Sequence, residues 1–170
     1  MMNAAVRLVL KCTLAVVLPV SGLLFPEAAV TAVEASAAYQ LNASKQSYTL
    51  DEEVKVILSG SNMDDVYGYE VQLEYSEYLE YVKFEDLKQS ENYTLRSSAS
   101  TDHLLIVSSS RTGNRAALSG NHDLLRLTFK PKSAGEATLK LREVKAMNQA
   151  TVLKPLTWVQ DEVSLTLSAA

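Results

Sequence analysis

Between Tyr67 and Tyr75 the chain alternates with a period of two. Tyr67, Tyr69, Val71, Leu73 and Tyr75 fall on one parity, and Gly68, Glu70, Gln72 and Glu74 on the other. Side chains alternate across a strand, so one face is apolar and the other carries carboxylate and amide groups. Helical spacing fits this stretch poorly. It reads as a half-buried strand of an antiparallel sheet, which sets the fold class.

The first 37 residues read as a leader. Arg7 and Lys11 give a positive start, Cys12 to Phe25 is mostly apolar, and Ala35-Ser36-Ala37 supplies the small-x-small cleavage pattern. The apolar run is shorter than the ~20 residues a spanning helix needs, and Pro19 interrupts it. A secretory signal peptide over residues 1–37 is therefore expected, followed by a single domain over residues 38–170. Lys11 before Cys12 stands where a lipoprotein would have a small residue. The only cysteine leaves with the leader, so disulfides, zinc-thiolate sites and cysteine nucleophiles are not expected in the domain. The leader carries two charges of each sign, so the net charge of −4 is unchanged by its loss. Mild acidity argues against nucleic acid, whose phosphates demand a basic face. No second stretch is apolar enough to span a membrane.

Beyond the leader, short strands follow one another. Tyr39 to Ala43 opens, and Val54, Val56 and Leu58 alternate with Lys55 and Ile57. Ser59-Gly60-Ser61-Asn62 reads as a turn-rich connector to the Tyr67–Tyr75 strand. Leu79 to Phe84 and Tyr93 to Ser97 come next. Leu104 to Val107 is a continuous apolar run, which suggests burial on both faces or a central position. Arg115 to Gly120 has room for a helical turn at most. Leu125, Leu127 and Phe129 alternate up to Pro131, Ser133-Ala134-Gly135 turns the chain, and Ala137, Leu139 and Leu141 alternate again. Val163, Leu165 and Leu167 close the series. About nine short strands separated by turn signals predict an all-β, jelly-roll β-sandwich.

The order of these elements, over nearly all of Leu41 to Leu167, resembles the cohesin family, the dockerin-binding modules of bacterial cellulosome scaffolds. The resemblance rests on four pieces: an early strand ending in a Gly-containing loop (Val54 to Gly60); the Tyr67–Tyr75 strand; Leu105-Ile106-Val107 with the polar loop Ser108 to Gly113; and Leu124 to Phe129 followed by Lys132-Ser133-Ala134-Gly135-Glu136-Ala137-Thr138-Leu139. Related carbohydrate-binding modules share the superfold. One departure stands out: Ser76-Glu77 occupies the place of the family's Asp-Pro after the strand tyrosine. The resemblance implies a docking face on Gly68, Glu70, Gln72 and Glu74, with a second contact segment at Ser109, Ser110, Arg111, Thr112 and Gly113. It implies a dockerin-bearing partner, expected to be a glycoside hydrolase, folded around calcium. Extracellular polysaccharide breakdown would be the setting, and a secreted location follows, with attachment to the cell surface left open.

Read on their own chemistry, Glu70, Gln72 and Glu74 offer hydrogen bonds to a partner, and the acids favour Lys or Arg and salt-sensitive association. They read equally as solvated residues on an outer face. Exposed tyrosines stack on sugar rings, so Tyr78, Tyr81 and Tyr93 are alternative glycan contacts with a polysaccharide as ligand. Trp158 reads as edge packing. A third reading is a structural extracellular domain. Catalysis is not expected. Glu70 and Glu74 on one strand stand roughly 14 Å apart, beyond the ~5–9.5 Å of glycosidase pairs. His122-Asp123 with Ser108 to Ser110 lacks a nucleophile elbow. Asp51-Glu52-Glu53 and Asp64-Asp65 lack calcium-loop spacing and read as solvated turn residues, so no metal or cofactor is expected. Asn42-Ala43-Ser44 and Asn92-Tyr93-Thr94 match the short glycosylation sequon.

Overall fold

The computed structural model describes residues 36–88, 93–99, 102–150, 152–154 and 157–169. All but the last two residues of the predicted leader lie outside these, as do Asn92 and the side chains of Tyr93 and Trp158. Among the described residues there are ten strands and no helix: Ala38–Ala43 (β1), Ser47–Thr49 (β2), Val54–Val66 (β3), Gly68–Tyr75 (β4), Leu79–Asp86 (β5), Tyr93–Ala99 (β6), Leu104–Arg111 (β7), Leu118–Pro131 (β8), Gly135–Met147 (β9) and Thr157–Ser168 (β10). They form a four-stranded sheet, β1-β3-β8-β5, and a six-stranded sheet, β2-β10-β9-β4-β7-β6. The expected β-sandwich is the observed one.

Alternation drives the assembly. On β3, Val54, Val56 and Leu58 are fully buried while Lys55 between them is exposed. Leu125, Leu127 and Phe129 on β8 do the same from the centre of the four-stranded sheet. Leu73, Leu105, Leu139, Leu141 and Leu165 face them from the six-stranded sheet, all at 1 % exposure or less. Each such side chain contributes about 1.5–3 kcal/mol on burial. The core is therefore a dry layer between two sheets, with no cysteine needed to hold it.

The structure corrects two local expectations. Ser59 to Asn62 does not end a strand: β3 continues to Val66 and bends through irregular registers at Leu58/Ser59, Gly60/Met63 and Met63/Val66. Asn62 and Asp65 take positive φ (50° and 47°) there. Their N–H groups donate to Asn121 Oδ1 (3.0 Å) and Ser119 Oγ (3.1 Å), so β8 side chains complete the ladder at the bulges. Gly60 permits the bend, since a Cβ would stand 2.5 Å from Met63 Sδ. Nor do residues 115–120 form a helical turn: Leu118 pairs with Val66 and Gly120 with Met63.

The short strand β2 has no counterpart in the sequence reading. It runs parallel to β10, with Ser47, Tyr48 and Thr49 opposite Thr166, Leu167 and Ser168. Tyr48 is buried, and its hydroxyl accepts from Lys45 N (3.1 Å) and bonds Ser44 Oγ (2.9 Å). Glu52 closes the turn after β2. The Lys45 ammonium, 2.6 Å from its carboxylate, and the Thr49 amide, at 3.1 Å, hold the Glu52 carboxyl below the ordinary glutamate value. A lowered folded-state pKa places the turn's stabilising contribution above the ordinary glutamate range and removes it as pH falls through the lowered value. Lys45→Ala is expected to raise the Glu52 midpoint, read from its side-chain carboxyl carbon by NMR; an unmoved midpoint would assign the lowering to another group.

Candidate functional site

The outer face of the six-stranded sheet is centred on β4, which lies between β9 and β7. The parity predicted for this strand is observed. Tyr69, Val71 and Leu73 are buried in the core, and Tyr75 packs against it from the strand end. Glu70, Gln72 and Glu74 are half-buried and point the other way. Directly paired residues on neighbouring strands share a face. Register therefore places the side chains in transverse rows.

One row runs Ser110, Gly68, Met147 and Leu153, through the β7–β4 and β4–β9 ladders and an isolated bridge from Met147 to Leu153. The next holds Ser108, Glu70 and Lys145; then come Ile106, Gln72 and Glu143; then Leu104, Glu74 and Lys140.

Charge on this face is largely satisfied within it. Lys145 Nζ lies 3.1 Å from Glu70 Oε1 and 3.2 Å from Glu143 Oε2. Hydrogen bonding first to Glu70 and then to Glu143 raises the Lys145 pKa. Arg142 stands at the β9 irregularity opposite Gln72/Leu73, and its guanidinium donates to Glu74 Oε2 at 2.5 Å. That bond raises the Arg142 pKa. Lys140 reaches Glu162 on β10 at 3.6 Å. Exposed pairs of this kind are screened and weak. Their consequence here is that Glu70 and Glu74 already have cations of their own. The face also carries apolar surface that parity alone did not assign: Leu104 and Ile106 are half-buried on it, while Leu105 and Val107 point into the core. Of the two expectations for Leu104 to Val107, burial on both faces is only partial, while the inner position holds: β7 lies between β4 and β6.

The second predicted contact segment divides. Ser110 lies on the outer face beside Gly68. Ser109 does not: it is 2 % exposed, faces inward, and donates to Asp86 Oδ2 at 2.8 Å. The strand pleat puts neighbours on opposite sides, so Ser109 joins the sheets instead of meeting a partner. The half-buried Arg111 donates from Nη1 to the Ala116 carbonyl, and its backbone N–H to the Tyr67 carbonyl at 2.9 Å. Thr112 and Gly113 are exposed in the following loop, where Gly113 has φ 71° and its carbonyl accepts from the Tyr67 hydroxyl.

Asp86 is itself 4 % exposed, and its other oxygen accepts from Lys88 N at 2.7 Å. Asp86→Ala would strand both donors. A loss of about 1–3 kcal/mol of stability is expected by urea unfolding; an unchanged midpoint would show that the link between β5 and β7 contributes nothing.

Two of the three tyrosines proposed as glycan contacts lie among the described side chains. Tyr78 and Tyr81 are half-buried and pack against the core. The Tyr78 ring lies over Gly135, where a Cβ would come within 2.7 Å of it, and Tyr81 meets Phe129 edge-on at 5.9 Å. His122 and Asp123 sit on β8, opposite Gly60 and Ser59, while Ser108 to Ser110 belong to the other sheet. Asp123 accepts from Ser59 Oγ at 2.6 Å, and His122 Nε2 bonds the Ser119 carbonyl oxygen at 3.0 Å. The arrangement is not that of a nucleophile and its base.

The residues the sequence reading missed at this face are Lys145, Arg142, Met147, Val152 and Leu153. Val152 and Leu153 are 59 % and 65 % exposed, the highest among the large apolar side chains exposed in the structure. Hydrogen bonds tie them to the end of β9: Val152 N donates to Asn148 Oδ1 (3.0 Å), Asn148 N to the Val152 carbonyl (3.1 Å), and Lys154 N to the Ala146 carbonyl (2.8 Å). Adjacent exposed aliphatics in a segment that fits no periodicity were the one available signal.

Residues 39–161 match the family model for the Cohesin domain. No curated protein matches the chain. Among solved structures, the cohesin module of a family 33 glycoside hydrolase from Clostridium perfringens superposes with TM-score 0.65 at 13% identity, covering 79% of this chain and 100% of that one. A type II cohesin–X-dockerin complex from Acetivibrio cellulolyticus gives 0.64 at 10% identity, covering 78% and 100%. A non-cellulosomal cohesin from the archaeon Archaeoglobus fulgidus gives 0.59 at 14% identity, covering 77% and 91%. At these identities the likeness is one of fold.

Proposed function

The chain belongs to the cohesin domain family, and we propose that it is a non-catalytic module that docks a dockerin-bearing protein on the outer face of its six-stranded sheet. The observation that carries this reading is the continuous surface built by β9, β4 and β7, with hydroxyl, amide, apolar and internally paired charged groups in register across three strands. Such a surface suits a protein partner, which needs a broad complementary area with a partly apolar centre. Solved relatives include modules in complex with dockerins, which supports the choice of partner. We place the activity outside the cell, in polysaccharide breakdown, with a glycoside hydrolase as the partner's catalytic part. Direct glycan binding through tyrosines is less well supported, because Tyr78 and Tyr81 are used in packing.

Immobilised protein should retain dockerin-bearing proteins from the culture medium of the source organism, and a chelator should release them, because calcium-built modules unfold without the ion. Retention of polysaccharide with no protein would overturn the reading.

A further inference from the structure

We infer that the row Ser110–Gly68–Met147–Leu153 holds, at Gly68, a notch that takes an uncharged, aliphatic side chain of the partner. This inference rests on the docking reading above and specifies the partner's chemistry at that face. Gly68 is the only position in the row without a side chain. The missing side chain lowers the floor of the sheet there, while Ser110 and Met147 close in from either side and leave Gly68 itself buried. The resulting depression has a volume of about 270 Å³ and is lined by Gly68, Glu70, Ser108, Ser110 and Met147, with Tyr69 and Ser109 behind.

The walls differ. Met147 stands on the β9 side, with the exposed Leu153 beyond it in the row and outside the lining, and Ser108 and Ser110 stand on the β7 side. Lys145, in the next row and outside the lining, is bonded to Glu70 and Glu143, so its charge is already matched. A partner Lys or Arg entering here would have to displace Lys145 to reach Glu70. An aliphatic group packs on Met147 and displaces water without disturbing that pair, and Met147 is bridged to Leu153, which is exposed together with Val152. Two adjacent exposed aliphatics beside the notch enlarge the apolar area that a partner can cover. A pocket that buries a partner side chain is where binding energy concentrates, and this one lies at the end of the face where β4 begins and β9 finishes. The acids of β4 therefore act as internal ion-pair partners and not as the primary attraction.

The test uses the purified protein and the dockerin-bearing protein it retains, with affinity measured by calorimetry. Gly68→Leu should fill the notch and weaken binding about a hundredfold. A Cβ at Gly68 would lie 3.2 Å from Ser110 Oγ and 3.3 Å from Met147 Cγ, so this variant also strains the strand. Leu153→Ser avoids that difficulty, because the side chain is exposed, and should weaken binding about tenfold at unchanged Tm. Val82→Ser, an equivalent change at an exposed site on the other sheet, should leave affinity unaltered. Raising salt from about 0.05 to 0.5 M should change Kd by less than about threefold. Binding that ignores Leu153→Ser and collapses with salt would overturn the notch while leaving the docking reading intact. Failure to retain any dockerin-bearing protein would overturn both.

Discussion

Phe129→Ala should lower the unfolding free energy by about 3–5 kcal/mol, the range for emptying a fully buried aromatic site. Phe129 has no exposed surface and lies at the centre of the four-stranded sheet, paired with Val54 on one side and Tyr81 on the other. Its ring also meets Tyr75 across the sandwich at 5.4 Å and Tyr81 at 5.9 Å. Strands from both sheets fix these neighbours, so they have little freedom to collapse into the space, and the cavity persists. The loss should appear in denaturant unfolding as a lower midpoint at unchanged m-value. A cost below about 1 kcal/mol would mean that the β4–β8 contact is not part of the core.

Glu70→Lys should weaken docking by about thirtyfold or more while leaving the fold intact. The substitution places a second cation beside Lys145, which now has only Glu143 as a close acid. In the free protein water screens the repulsion. In the complex the partner removes that water, and two close like charges must be desolvated together. The effect therefore arises in the bound state. Far-UV dichroism and Tm should be nearly unchanged, since Glu70 projects from the sheet and not into the core. An unchanged affinity would show that the partner does not cover β4.

Most of the sandwich was legible because one-sided burial imposes a period of two. Val54 to Leu58, Tyr69 to Leu73, Leu125 to Phe129 and Val163 to Leu167 all announce their strands locally. Where non-local bonds decide, the sequence is silent. Ser59 to Asn62 has turn composition, yet Asn121 and Ser119, distant in sequence, supply the acceptors that let β3 bend and continue. The three-residue β2 exists because β10 offers an edge. On the outer face of the six-stranded sheet, parity put Gly68, Glu70, Gln72 and Glu74 on one surface correctly. It could not show that Lys145 and Arg142 pair with those acids, because register between β4 and β9 is set by the whole sheet. Ser109 was misplaced for a simple reason: a contact segment read as a loop continues as strand, and its pleat turns that residue inward.

The central claim is that docking uses the outer face of the six-stranded sheet. Backbone amide NMR of the protein titrated with its dockerin-bearing partner tests it most directly. The account predicts shifts concentrated at Gly68 to Glu74, Leu104 to Ser110 and Glu143 to Met147, extending to Val152 and Leu153. Shifts centred instead on Lys55, Lys83 and Arg126, on the outer face of the other sheet, would contradict it.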